Sequence, residues 1–270
     1  MATPWCSIGV FDRWRFLCRR LPRVNSAGER VLEVGCGTGA FTMGVASRGY
    51  EAVGLSWDER NQIVAKRRAA LAGLKRTSFP SCDVRCLDGR TELIGAFDIV
   101  VCFEVIEHIL DDRKLFRDIF RCLKPGGRLY LTTPNYYYRS SFYDAGPFST
   151  FEDGSHVRRG YSSAMLQELC ADAGFEVEEI TYVSHFFSQL VTRLQMSLAH
   201  NFGHRIGNEL QWLISAPLRV LPVLFDGWIG RWIGSALGWP GYSIALAAYK
   251  KRFETVASRK SAPEQLYAAG

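Results

Sequence analysis

The sequence predicts an α/β fold built around a mostly parallel sheet, and three observations support this prediction. A glycine-rich turn joins a buried strand to a helix, strands and helices then alternate along the chain, and the composition is that of an ordinary globular protein. Of the 270 residues, 47% are hydrophobic and 22% are charged. These values exclude a largely disordered or fibrous chain, and the length fits one large domain with additions.

The strands and helices are read from short apolar runs that end at glycine, proline or a capping residue. Pro80 lacks a backbone N–H, so the strand that contains it is predicted at an edge of the sheet. Asp111 or Asp112 is predicted to cap one helix, and Gly174 to end another. The helices are predicted to end near Arg48, Leu74, Leu123 and Ala173. The predicted strands cover residues 30–34, 50–55, 76–82, 97–103, 128–133, 175–183 and 242–249.

Four segments of the chain differ in composition. Residues 1–27 read as a basic amphipathic helix, which either lies on an anionic membrane or packs beside the active site. Residues 28–183 and 241–252 form the main domain. A hydrophobic helical insertion at 184–240 separates these two parts, and 253–270 is predicted to be a flexible tail. The apolar runs of the insertion are shorter than the roughly 20 residues that cross a bilayer, so no transmembrane helix is predicted.

Charge and cysteine usage limit the partners and the compartment. The formal net charge of +6 is dispersed along the chain and does not indicate nucleic-acid binding, although it permits an anionic ligand or a membrane surface. The eight cysteines are scattered, and Cys82 and Cys86 lack a second pair at zinc-site spacing. These features predict a reduced, cytoplasmic protein.

The glycine turn from Gly35 to Gly39 is the main chemical signal. Glycines there allow positive φ and a close approach of the backbone to a ligand, and the N–H groups of the following helix favour a carboxylate or phosphate. The spacing is G-x-G-x-G rather than the G-x-G-x-x-G of dinucleotide sites, which argues against a nicotinamide oxidoreductase. A carboxylate at Glu33 would repel a pyrophosphate but attract an ammonium, so the predicted ligand carries an amino-acid group.

With these features, the stretch from Val31 to Gly39 resembles motif I of class I S-adenosylmethionine-dependent methyltransferases. The sequence Glu-Val-Ile-Glu-His at 104–108 resembles the ubiquinone-methyltransferase-like (type 11) branch. The resemblance implies a Rossmann-like, doubly wound sheet of seven strands, mostly parallel with an antiparallel last strand. It also implies S-adenosyl-L-methionine as cofactor. The implied cofactor contacts are Glu33, Gly35, Cys36, Gly37, Gly39, Ser56, Trp57, Asp58, Gln62, Asp83, Val84, Phe103 and Glu104.

One stretch departs from the family pattern. Many members carry an acid after the second strand that binds the ribose hydroxyls, and Ser56 stands at that position here. Residues 54–62 instead resemble a variant found in cyclopropane-synthase-like members, in which a later polar side chain helps. We therefore assign the ribose contact to Asp58, Asn61 or Gln62.

The candidate catalytic residues follow the fourth strand and the long loop after Pro134. Glu104, Glu107 and His108 would share a face if the chain turns helical there, and they read as a base for the acceptor, a metal site or a solvated helix start. No further ligand can be identified from the sequence, so no metal is predicted. His156 is a second candidate base, or a structural imidazole bonded to a carbonyl.

The predicted activity is methyl transfer to an oxygen nucleophile of a hydrophobic small molecule or lipid, assisted by His156 or His108. Carbon methylation or a cyclopropane-synthase-like activity is the nearest alternative, and a non-catalytic cofactor-binding protein is another. No N-P-P-Y sequence follows the fourth strand, which argues against the branch that acts on flipped DNA bases. Peripheral membrane contact is predicted through the insertion and the N-terminal helix, and the oligomeric state is left open.

Overall fold

The computed structural model describes residues 8–21, 28–139, 148–194, 197, 218 and 220–252. The predicted tail at 253–270 and the ends of the predicted N-terminal segment lie outside the described residues. The strands are β1 (Arg30–Val34), β2 (Glu51–Leu55), β3 (Thr77–Ser78), β4 (Phe97–Phe103), β5 (Leu123–Pro134), β6 (Phe175–Val183) and β7 (Ser243–Lys250). The helices are α1 (Ile8–Cys18), α2 (Ala40–Ala46), α3 (Glu59–Leu71), α4 (Asp112–Cys122), α5 (Ser163–Ala173), α6 (186–194), α7 (Val220–Phe225) and α8 (Ile229–Ala236).

The seven strands form one sheet in the order β3-β2-β1-β4-β5-β7-β6. The pairs from β3 to β5 are parallel, and β7 runs antiparallel to both β5 and β6. This arrangement confirms the predicted fold. It also sets the geometry of the site, because the C-terminal ends of β1, β4, β5 and β6 meet at one end of the sheet, called here the active end. Ligands in such sheets bind at this end.

The core lies on both faces of the sheet. Alternate side chains of β4 point to opposite faces: Val100 and Cys102 pack with α4 and α5, whereas Val101 and Phe103 pack with α1 and α2. Phe103 meets the ring of Phe41 edge-on, with 5.0 Å between the ring centres. Burial on both faces explains why the sequence of this strand is apolar throughout.

The helix ends follow the predicted capping chemistry. The carboxylate of Asp58 accepts the N–H of Arg60 at 2.9 Å at the start of α3, and that of Asp111 accepts the N–H of Lys114 at 2.9 Å at the start of α4. Gly174 ends α5 with φ 91°, a conformation that glycine adopts without strain.

Two elements differ from the sequence-based prediction. The third strand has two residues rather than the predicted 76–82, because β3 has one neighbour only and Pro80 cannot donate to it. Strand β5 begins at Leu123 directly after α4, whereas the strand was predicted to begin at residue 128. Leu123 pairs with Phe97 and Arg128 pairs with Ile99, so Lys124 to Gly127 form an irregularity in the ladder between these two pairs.

The insertion joins the end of β6 to the start of β7, so it lies at the active end of the sheet. Asp226, between α7 and α8, is 4% exposed and accepts the N–H groups of Phe187 and Ser188 at 2.8 and 2.9 Å, which caps α6. Much of the insertion between α6 and α7 lies outside the described residues. Among the residues described, the structure contains no helix whose length and apolarity would suffice to cross a membrane.

Candidate active site

The glycine turn after β1 combines a left-handed backbone, which glycine adopts without strain, with open space. Gly35, Gly37 and Gly39 have φ of 75°, 50° and 78°. A Cβ on Gly35 would stand 2.4 Å from Cγ2 of Val105, whereas a Cβ on Gly37 would meet nothing within 4 Å. The turn is therefore packed on one side and open at Gly37, and this is the point at which a ligand can approach the backbone.

Glu33 lies beneath the turn and is 4% exposed. Its Oε2 accepts the backbone N–H of Thr42 at 2.6 Å and also the Thr42 hydroxyl. Burial raises the pKa of Glu33 to about 7, and the two bonds from Thr42 oppose that rise. This carboxylate ties β1 to α2, a supporting role that the sequence argument about an ammonium did not foresee.

Gln62 in α3 and Cys36 in the turn itself hold the glycine turn against the ends of β2 and β3. The amide of Gln62 donates to the carbonyl oxygens of Gly54 at 3.0 Å and Pro80 at 2.5 Å, and the side chain is 2% exposed. The N–H of Cys36 donates to the carbonyl of Leu55 at 2.7 Å, and burial raises the pKa of its thiol. With both donor positions occupied, Gln62 joins the ends of β2 and β3 rather than facing the open space.

The other residues assigned to the cofactor lie at the ends of β2 and β3. Ser56 is 5% exposed, and its Oγ accepts the N–H of Asp58 at 3.3 Å, while Trp57 is 64% exposed. Ion pairs with Arg60 and Arg85 hold the pKa values of Asp58 and Asp83 below their usual range. Both carboxylates therefore stay ionised at fixed positions beside the turn. Val84 is buried next to Asp83, and Phe103 is buried at the end of β4.

The chain after β4 does not form the α-helix on which the predicted shared face depended. A single turn of 3-10 helix covers Ile106–His108, and Glu104 precedes it with φ 53°. Glu104 Oε1 accepts the hydroxyl of Thr132 at 3.0 Å and lies 3.8 Å from Nε of Arg13, which α1 brings over the site. The positive φ of Glu104 is a strained backbone position at the active end.

Glu107 is completely buried next to Glu104. Its Oε2 accepts the hydroxyl of Thr133 at 3.0 Å, and its Oε1 has no hydrogen-bond partner among the described residues. Burial, and secondarily the negative charge of Glu104, raise the pKa of Glu107 well above its usual value. A buried carboxyl oxygen with no partner is costly, so this atom is suited to a proton or a cation.

The structure brings both predicted catalytic histidines to this carboxyl group. Nδ1 of His108 lies 3.1 Å from the carbonyl oxygen of Ser155. Because a carbonyl oxygen only accepts, Nδ1 carries the hydrogen and Nε2 of the neutral ring holds the free electron pair. Nε2 lies 3.9 Å from Glu107 Oε1, and the ring of His156 meets that of His108 edge-on at 4.6 Å.

The same cluster contains a set of potential metal ligands. One ligand atom from each of Glu107, His108 and His156 lies within 4.8 Å of the other two. No metal was predicted from the sequence because the additional oxygen ligands that a carboxylate-rich site needs could not be identified, and the residue that the loop after β5 adds to the cluster is a histidine, His156. The N–H of Val157 donates to the carbonyl of Glu107 at 2.9 Å and holds the loop in place. Acid–base chemistry and cation binding are both open to these three side chains.

A chain of ion pairs connects the two sides of the active end. Arg85, which pairs with Asp83, also donates from Nη1 to Glu152 Oε2 at 2.8 Å. Glu152 Oε1 in turn accepts the N–H of Leu110 at 2.6 Å. Glu152 belongs to the loop that carries His156, so this network joins the turn after β3 to the catalytic loop. Sequence reasoning missed it, because no local pattern links residues that lie so far apart along the chain.

Known proteins resemble this chain both in sequence and in fold. A family profile described as "Methyltransferase domain" matches residues 10–180. The chain is 31% identical over 172 residues to a ubiquinone biosynthesis O-methyltransferase of Marinobacter nauticus, covering 60% of this chain and 70% of the relative. A protein of the same name from Pseudomonas fluorescens is 34% identical over 113 residues, and the match spans 42% of this chain and about half (47%) of that relative.

Among solved structures, the fold is similar to a phosphoethanolamine N-methyltransferase of Haemonchus contortus in complex with S-adenosyl-L-methionine. The TM-score is 0.60 at 20% identity, and the likeness covers 89% of this chain and 52% of that chain. At this identity the likeness concerns the fold alone.

Proposed function

Since this chain belongs to the class I S-adenosylmethionine-dependent methyltransferases, we propose that it methylates a hydroxyl oxygen of a hydrophobic small molecule or lipid. One observation carries the proposal. A histidine whose proton-accepting nitrogen is fixed by its neighbours lies at the ends of β4 and β5, at the same end of the sheet as the open glycine turn. A base in that place suits an acceptor that must lose a proton.

The residues around the glycine turn fit the cofactor. The backbone at Gly37 is open to a ligand, and two ionised carboxylates, Asp58 and Asp83, stand at the ends of the neighbouring strands. They would hold the hydroxyl and amino groups of the nucleoside, and the turn would hold the amino-acid end. When bound, S-adenosylmethionine supplies a methyl group on a sulfonium sulfur, which a nucleophile attacks in line.

The chain itself supplies the base. Nε2 of His108 accepts the proton of the acceptor hydroxyl, since a neutral imidazole is a competent base near neutral pH. Oε1 of Glu107, which has no hydrogen-bond partner among the described residues, lies 3.9 Å from that nitrogen and stabilises the imidazolium electrostatically. His156, edge-on to His108, restricts the orientation of that ring.

Oxygen is the favoured acceptor atom because the Marinobacter nauticus relative is named for O-methylation. The stretch at 54–62, with its resemblance to cyclopropane-synthase-like members, favours methylation of carbon as the second candidate. A hydrophobic acceptor, reached from a membrane surface, is supported by the position of the apolar insertion at the active end.

The test begins with calorimetric titration of the purified protein with S-adenosylmethionine and, in parallel, with NADH. We expect binding of the first compound only. The loaded protein is then offered phenolic, isoprenoid and lipid acceptors with a methyl-labelled cofactor, and the labelled atom is located by mass spectrometry and NMR. A label on oxygen supports the proposal. A label on carbon, or tight binding without turnover across the acceptor panel, contradicts it.

A further inference from the structure

Helix α8 has an inverted pattern of burial. Its buried residues are Gly230 and Gly234, whereas Trp232 and the preceding Trp228 are 67% and 81% exposed. Tryptophan is normally among the most buried side chains by area. Because Trp228 and Trp232 are four residues apart, they lie on one side of the helix. The exposed apolar residues in and beside α7 and α8 are called here the tryptophan face: Val220, Val223, Leu224, Phe225, Trp228, Trp232 and Leu237.

Tight packing of the glycine side of α8 keeps the two tryptophans exposed. A Cβ on Gly230 would stand 2.4 Å from Oδ1 of Asp226, and a Cβ on Gly234 would stand 2.6 Å from the carbonyl oxygen of Trp239. Asp226 is itself held by the N–H groups at the start of α6. The helix therefore cannot rotate its tryptophans inward without losing these contacts.

An open cavity of about 850 Å³ adjoins the tryptophan face. It runs between α1 and the β5 and β6 region and reaches Gly227, between α7 and α8. Nη1 of Arg15 in α1 lies 3.5 Å from the carbonyl of Val223 in α7, so the cavity and the face are in contact. The cavity is called here the arginine groove, after Arg15, Arg19, Arg20, Arg128 and Arg231, which line it.

The arginine groove has an excess of positive charge. Arg20 and Arg128 pair with Glu179 and Glu178. Within the described part of the chain, Arg15, Arg19 and Arg231 have no carboxylate oxygen within salt-bridge distance, and Arg231 donates to a ring nitrogen of His185. The other acids of the groove are buried and held by hydrogen bonds, Asp12 by the hydroxyls of Ser184 and Ser188 and Asp226 as described above. Among the described residues, therefore, Arg15, Arg19 and Arg231 have no acidic partner that would compete with an anion.

We propose that the tryptophan face and the arginine groove together dock the protein on an anionic membrane, with lipid phosphates in the groove. Tryptophan is enriched where membrane and water meet, and the arginine guanidinium matches the phosphate group. An anionic leaflet attracts basic residues near its surface by about 1 kcal/mol each, which is about fivefold in affinity. The inference rests on the proposed function only in that docking would deliver a lipid acceptor to the active end.

A second copy of the chain suits this surface less well. In a two-fold dimer the same patch faces itself. The unpaired arginines of one groove would then lie near those of the other, and the repulsion would oppose association. A layer of phosphates has the opposite charge and accepts tryptophan at its boundary with the acyl chains.

The experiment is co-sedimentation of the full chain with vesicles of phosphatidylcholine alone and of phosphatidylcholine mixed with phosphatidylglycerol. We expect binding to the anionic vesicles at least about tenfold tighter than to the neutral ones, and weaker in high salt. The double variant Trp228→Ser/Trp232→Ser should lose about tenfold or more of this binding. Leu71→Ser, which changes an 82% exposed residue of α3 near the opposite edge of the sheet, is the matched control and should bind as the parent does.

Arg231→Glu provides a second variant that leaves the apolar face intact. It should lose about fivefold or more of the binding to anionic vesicles and none of the binding to neutral vesicles. Calorimetry with S-adenosylmethionine on each variant separates this inference from the proposed function, because the cofactor affinity should not change. A parent chain that stays in the supernatant with both vesicle types overturns the docking surface. Dissociation of a dimer by the tryptophan variant, with no vesicle binding by the parent, overturns it as well.

Discussion

Glycines serve opposite purposes in two regions of the active end. At Gly35 and Gly37 the backbone adopts positive φ, and the missing side chain of Gly37 leaves open space for a ligand. At Gly230 and Gly234 the missing side chain lets α8 pack against Asp226 and the carbonyl of Trp239. In the proposed function the first region uses backbone shape to bind the cofactor, whereas the second uses tight packing to present large side chains outward. The glycine turn is called here the cofactor side, and the histidine cluster with the insertion is called the acceptor side. Mutations on one side should therefore leave the properties of the other side unchanged.

The largest effect is expected on the acceptor side at His108. His108→Gln removes the proton-accepting nitrogen and should lower kcat by about 10²–10⁴-fold, as expected for loss of a general base. The affinity for the cofactor should not change. The measurement is kcat for the parent and the variant at saturating cofactor and acceptor.

A matched variant, His156→Gln, identifies which ring is the base. If His156→Gln loses at least as much kcat as expected for a general base and His108→Gln loses little, the roles are reversed. If the dialysed parent protein is inactive and a divalent cation restores it, the cluster of Glu107, His108 and His156 is a ligand set instead of an acid–base pair.

On the cofactor side, Gly37→Val should have the next largest effect. The new side chain would occupy the open space at the turn and clash with the bound cofactor. A clash of about 3 kcal/mol corresponds to an affinity for S-adenosylmethionine that is about a hundredfold weaker. Gly95→Val is the control, because Gly95 also has positive φ, 60°, and open space within 4 Å but lies at the other end of β4. Both variants share a backbone strain of about 1–3 kcal/mol. Equal cofactor affinity in the two variants, measured by calorimetry, would remove the turn from the binding site.

Because of Glu33, which lies beneath the glycine turn, the free energy of unfolding should depend on pH. Burial raises its folded-state pKa to about 7 from 4.5. Below pH 4.5 it is protonated in both states. As the pH rises to about 7, the unfolded chain loses the proton and the folded chain keeps it, so stability falls by about 3 kcal/mol in total.

Glu33→Gln should remove this contribution, because a glutamine at that position does not titrate. The measurement is urea unfolding of parent and variant at pH 5 and pH 7. Since Asp12, with a pKa raised to about 6, contributes in the same direction in both proteins, the informative quantity is the difference between them. A difference that does not change with pH would contradict the assigned pKa.

The smallest effect is expected at Gly230 and should be confined to the insertion. Gly230→Ala forces a methyl group toward Asp226, and such overpacking costs about 1–3 kcal/mol. Amide exchange at Phe187 and Ser188 should accelerate and vesicle binding should weaken, while cofactor affinity stays the same. Gly227→Ala is the control, since a Cβ there meets nothing within 4 Å. A loss of cofactor affinity in Gly230→Ala would show that the two regions are coupled.

The fold could be predicted where local signals agree. The strands at 97–103 and 175–183 have the predicted bounds, because long apolar or alternating runs end there at a loop or a glycine. The third strand was predicted too long, since its length depends on how many residues of β2 are left to pair with it and not on its own composition. The condition for a shared helical face after β4 is not met, because the chain turns at Glu104 with positive φ, which no propensity favours.

The sequence by itself determined the class of protein, the cofactor and the glycine turn. These depend on backbone geometry within a few consecutive residues, and the order of glycines and apolar residues determines that geometry. Only the tertiary structure decided that Glu107, His108 and His156 meet, that Gln62 faces two carbonyl groups, and that α8 buries its glycines and exposes its tryptophans. Each of these depends on segments that are distant along the chain, and their packing fixes which side of each element is covered.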